Sequence, residues 1–142
     1  MKTSRQVLSS ILQTTQMGQA GIRSALDAAP DPELRHALMQ QLKEYDSIET
    51  EAHSIASQRG WELRELDSAV RTMSNMLCRM KCTGPNATSK ISEMMIQGNT
   101  KGLVKGLRDL HRSDRKDSRV DTLSQKLIDT ETNNIRQMRP FL

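Results

Sequence analysis

Between Ser118 and Arg139 the chain places Val120, Leu123, Leu127, Glu131, Asn134 and Met138 three or four residues apart. Only an α-helix returns that spacing to one face, so the segment must bury the stripe against other helices. Two of its members are polar. A carboxylate at such a seam needs a partner, because an unpaired buried charge costs several kcal/mol. The stripe therefore predicts a helical bundle whose interior holds either a hydrogen-bonded network or a metal site.

The remaining segments repeat the helical period. A first helix is expected from Ser4 to Leu26, with Val7, Leu8, Ile11, Leu12, Thr15, Gly18/Gln19, Ile22 and Leu26 inward. Asp31-Pro32-Glu33 restarts the chain with an N-cap, a proline at the first helical position and an acid in the first turn. A link this short makes the first two helices an antiparallel hairpin. The second helix is expected to end near Gln58, before Gly60, with Leu38, Gln41/Leu42, Tyr45, Ile48/Glu49, Ala52 and Ile55 inward. A short helix is expected from Ser68 to Lys81, broken by Thr83-Gly84-Pro85-Asn86. A further helix from Ala87 to His111 and the basic loop 112–117 then lead to the last helix. Two hairpins joined by so long a crossover allow the second helix and the one after the break to run parallel. The expected fold is all-α, a four-helix bundle with an extra short helix in its crossover, occupying 1–142 as one domain. The apolar fraction of 35%, with Trp61, Tyr45 and Phe141 as the aromatics, predicts a thin core. A thin core favours self-association or a protein partner.

Net charge is concentrated. Residues 101–119 hold seven basic and three acidic groups, which accounts for the overall +4. Lys101, Lys105, Arg108 and Arg112 share one helix face, either a solvated bundle surface or a stripe for nucleic acid or another anionic surface. No aromatic is interleaved for base stacking. Gly98, Gly102 and Gly106 form a ridge at every fourth position, and glycine costs about 1 kcal/mol against alanine inside a helix. The ridge predicts close approach by another backbone, with Gly18 and Gly21 as a matching face. Met73, Met76, Leu77 and Met80 stripe the crossover helix, with Met94 and Met95 after the break, as gap-filling core or an adaptable contact surface. Cys78 and Cys82, four apart on a predicted helix, are too few for a zinc site and point to a reduced, cytoplasmic setting. His36 and His111 are expected at the surface. There is no apolar leader pattern, no membrane-spanning run, no glycine-rich phosphate loop and no evident nucleophile with a base.

The stretch Glu44-Tyr45-Asp46-Ser47-Ile48-Glu49-Thr50-Glu51-Ala52-His53 resembles the second helix of the ferritin-like superfamily. Ala56-Ser57-Gln58-Arg59-Gly60-Trp61 is similar to the end of that helix in bacterial spore-coat F-type proteins. Leu127-Ile128-Asp129-Thr130-Glu131-Thr132-Asn133-Asn134-Ile135 resembles their closing helix, where Glu-x-x-His would hold metal. The resemblance implies a ferritin-like bundle, and its departures bear on the site. Asn134 stands where histidine is expected, and His53 has Thr50 three back and Glu49 four back. Gln16 and Gln19 stand in the first helix in place of glutamate, and the helix after the break offers Glu93 and Asn99. Amides bind iron poorly beside carboxylates and imidazoles. The expected function is thus non-enzymatic: a structural or interaction bundle without a resident cofactor. Its core network would comprise Gln19, Tyr45, Glu49, Glu131 and Asn134. The alternative is a reduced iron or manganese site of Glu49, His53 and Glu131.

Overall fold

The computed structural model describes residues 1–68, 70 and 82–142, and four α-helices carry the fold among them. They are α1 (Ser4–Ala28), α2 (Pro32–Arg59), α3 (Ala87–Arg112) and α4 (Ser118–Met138), the last continuing into a 3-10 turn at Arg139–Phe141. The expected short helix of the crossover, with Met73, Met76, Leu77, Cys78 and Met80, falls almost wholly outside the described residues.

Local chemistry sets the helix ends. Thr3 and Gln6 form a reciprocal capping box at the start of α1. Asp31 accepts from the Glu33 amide at 3.0 Å, and Pro32 occupies the first turn of α2. Gly60 closes α2 in the left-handed region at φ 67°, which a residue without a side chain adopts at no steric cost. Asp117 caps α4 through the amides of Arg119 and Val120 at 3.0 and 3.3 Å.

Contacts at the bundle ends give the helix directions. The Lys2 amide donates to the Arg112 carbonyl at 3.0 Å, and the Asp114 amide donates to the Lys2 carbonyl at 3.0 Å. The start of α1 is thus tied to the end of α3, and α1 and α3 run antiparallel. Arg59 Nε donates to Asp117 at 2.8 Å, which ties the end of α2 to the start of α4. Consequently α2 and α3 run parallel, as the long crossover anticipates. The crossover begins along α1, where Arg64 and Leu66 amides donate to Ser9 Oγ at 3.1 Å and Gln16 Oε1 at 2.8 Å.

All six residues of the α4 stripe are buried, Glu131 and Asn134 included. Its four apolar members meet Leu8, Ile11 and Ile22 of α1, Leu38, Tyr45, Ile48 and Ile55 of α2, and Ile91 and Met95 of α3 in one cluster. Each fully buried large aliphatic contributes on the order of 1.5–3 kcal/mol. No helix among the described residues is long and apolar enough to cross a membrane.

Candidate functional site

Three polar side chains meet at the centre of the bundle. Tyr45 of α2 donates its hydroxyl proton to Asn99 Oδ1 of α3 at 2.9 Å. Asn134 of α4 donates to the Tyr45 hydroxyl and to the same Asn99 oxygen, both at 3.2 Å. Asn99 returns its own amide to the Met95 carbonyl at 2.7 Å. The triangle ties α2, α3 and α4 together through buried side-chain hydrogen bonds.

Glycines make the room. A Cβ on Gly18 of α1 would sit 2.6 Å from the Tyr45 ring, and one on Gly102 of α3 would sit 2.9 Å from Glu131 Oε1. The tyrosine therefore lies flat against α1, and the glutamate lies across α3. Gly106 takes Ile128 in the same way, at 3.1 Å, whereas Gly98 meets nothing among the described residues. The glycine ridge thus receives side chains where a backbone was expected, and only along two of its three positions.

Glu131 is 2% exposed and lies within reach of the Tyr45 hydroxyl. Its Oε2 is buried with no hydrogen-bond partner. Burial pushes its pKa from 4.5 up to about 8, and the neighbouring tyrosine hydroxyl pulls it back only in part. At neutral pH the side chain keeps its proton, so the core holds a neutral acid and needs no counter-charge. Burial also raises the Tyr45 pKa well above its usual value, with the Glu131 charge adding to it. The Tyr45 hydroxyl is therefore no ready nucleophile or base near neutral pH.

Gln19 and Glu49, expected in the same network, belong to a separate one between α1 and α2. Gln19 Nε2 donates to Asp46 at 2.9 Å and to Glu49 at 3.4 Å, and Gln16 Nε2 donates to Glu49 at 3.4 Å. The split follows from helix geometry, since Tyr45 and Glu49 lie one turn apart and tilt toward different neighbours. His53 is exposed, 3.9 Å from Glu65 of the crossover. The structure leaves Glu49, His53 and Glu131 apart, and among the described residues no three His, Cys, Asp or Glu side chains form a metal-holding group.

The basic face of α3 gains a member that spacing along one helix could not reveal. Lys101, Arg108 and Arg112 are exposed, Lys105 is half-buried, and Lys2 of the α1 leader joins them around one cleft of about 820 Å³. Asp109 sits beneath this cleft, 6% exposed, accepting from Lys2 Nζ at 2.7 Å and Ser10 Oγ at 2.6 Å. Burial lowers the Lys105 pKa; Asp109 opposes the shift and Lys2 reinforces it. Lys101 and Lys105 also line a second groove of about 550 Å³ between α1 and α3, with Met17, Gly18, Met94 and Glu131.

No known protein family matches the chain, and no curated protein or solved structure does. Two participants escaped the sequence pattern. Asn99 lies on the α3 face directed at Tyr45, a placement that needs the parallel course of α2 and α3. Lys2 reaches the basic face only because the chain entering α1 is pinned to the α3–α4 turn.

Proposed function

We propose that this chain is a non-enzymatic bundle of ferritin-like form that works by contact through its outer helix faces. The observation that carries this reading is the Tyr45–Asn99–Asn134 triangle. It fills the centre of the bundle with amides and a phenol that satisfy one another, where a ferritin-like oxidase would present carboxylates and histidines to two metals. Paired hairpins, a long crossover and parallel α2 and α3 support the ferritin-like form. A spore-coat setting follows from the resemblance of Ala56–Trp61 alone.

Elemental analysis of protein purified without chelator, then titrated with ferrous iron, manganese and zinc, tests the reading. Substoichiometric metal and an unchanged melting temperature are expected. One metal per chain, lost in Glu131→Gln and Glu49→Gln, would overturn it and restore the carboxylate site of Glu49, His53 and Glu131.

A further inference from the structure

We infer that the α3 face around Lys101, Lys105, Arg108 and Arg112, extended by Lys2, docks on the surface of an anionic phospholipid membrane. Four observations carry this. The α3 residues recur every three or four positions across the twelve residues from Lys101 to Arg112, a row about 16 Å long at 1.5 Å of rise per residue. Such a row is straight, as contact with a planar surface requires. Among the described residues, Lys101, Arg108 and Arg112 form no ion pair. Their charge is therefore free for an outside partner. The one acid beneath the face, Asp109, is buried and already holds Lys2 and Ser10, so it presents little opposing charge.

The fourth observation separates a membrane from other polyanions. Val104 is 48% exposed and Met1 is 94% exposed, and both line the cleft that holds the basic row. Apolar side chains set among lysines and arginines suit the headgroup–acyl boundary, where cations meet lipid phosphates and the apolar groups leave water. A nucleic-acid surface of this kind would add aromatic side chains to stack on bases, and among the described residues the face offers none. Lys105, half-buried with its pKa lowered, gains most from such a surface because lipid phosphates would offset its desolvation.

The inference builds on the contact reading above, and the two fail separately. Bound metal would undo that reading, whereas absent vesicle binding would undo only this one.

Co-sedimentation of the full chain with phosphatidylglycerol–phosphatidylcholine vesicles provides the test, with pure phosphatidylcholine vesicles and duplex and single-stranded DNA as competitors. Binding to the anionic vesicles is expected, and it should fall steeply with added salt. Each basic residue near such a surface multiplies partitioning by roughly fivefold. Replacing Lys101, Arg108 and Arg112 with glutamine should therefore lower it about 100-fold. Removing the same charge elsewhere, at exposed Lys43, Arg136 and Arg139, should change it far less. V104S, which removes apolar surface without adding charge, should weaken binding at every salt concentration, with the circular dichroism spectrum unchanged because the site is exposed. Equal binding to neutral vesicles, an equal loss in the two charge-removal variants, or DNA bound more tightly than vesicles would each overturn the proposal.

Discussion

Replacing Glu131 with glutamine isolates the acid in the core, because the substitution keeps shape and removes titration. In the unfolded chain the carboxyl loses its proton near pH 4.5, whereas burial holds it in the folded protein up to about pH 8. Between these values the folded state binds more protons, so stability falls as pH rises and levels off above about 8. The window from 4.5 to about 8, at roughly 1.4 kcal/mol per pH unit, sets an upper value near 5 kcal/mol. Water entering around the carboxylate as it ionises reduces that figure, and about 2–5 kcal/mol is expected. Against a total of roughly 5–15 kcal/mol for a domain, this is a large share. Urea unfolding of both proteins at intervals from pH 5 to pH 8.5 measures it. The unfolding free energy of Glu131→Gln minus that of the wild type should grow steadily with pH. An offset constant to about 0.5 kcal/mol would refute the reasoning, since the acid would then be ionised throughout.

Three further outcomes follow from the same structure. Gly18→Ala should destabilise by about 1–2 kcal/mol despite a better helix propensity, because the Tyr45 ring lies 2.6 Å from the new Cβ. Gly98→Ala, which meets nothing among the described residues, should stabilise by up to about 1 kcal/mol, and thermal melts that rank the two alike would count against the packing account. Tyr45→Phe removes the donor to Asn99 and the acceptor of Asn134, so a loss of about 1–3 kcal/mol is expected in urea titrations, and a neutral result would mean that the triangle is not formed. Asp117→Ala should cost about 1–2 kcal/mol at neutral pH through its lost cap. Arg59 and then the capping amides hold the Asp117 pKa below 3.8, so its contribution is present above that pH and fades as pH falls through the lowered value. The variant should therefore show a flatter acid limb, and an unaltered limb would contradict the capping role.

The helices were legible because their causes are local. The Val120-to-Met138 period, the Asp31-Pro32-Glu33 start and the Gly60 stop act within a few residues, and the observed ends fall within two residues of those expected. The inward stripes were legible for the same reason, as was the pairing of helices across the short Ala29-Pro30-Asp31 link. What that stripe could not carry was the neighbour of each polar residue. Gln19 and Glu49 share the helical phase of a core network, yet a single turn of α2 separates the Tyr45 layer from the α1–α2 surface pair. Glu131 looked like a charge in search of a counter-ion. Only the packed surroundings, which bury it against Gly102 of α3, make it a neutral acid. Periodicity decides which face of a helix turns inward. Which side chains then meet depends on crossing, register and direction among helices far apart in sequence, and those belong to the tertiary structure.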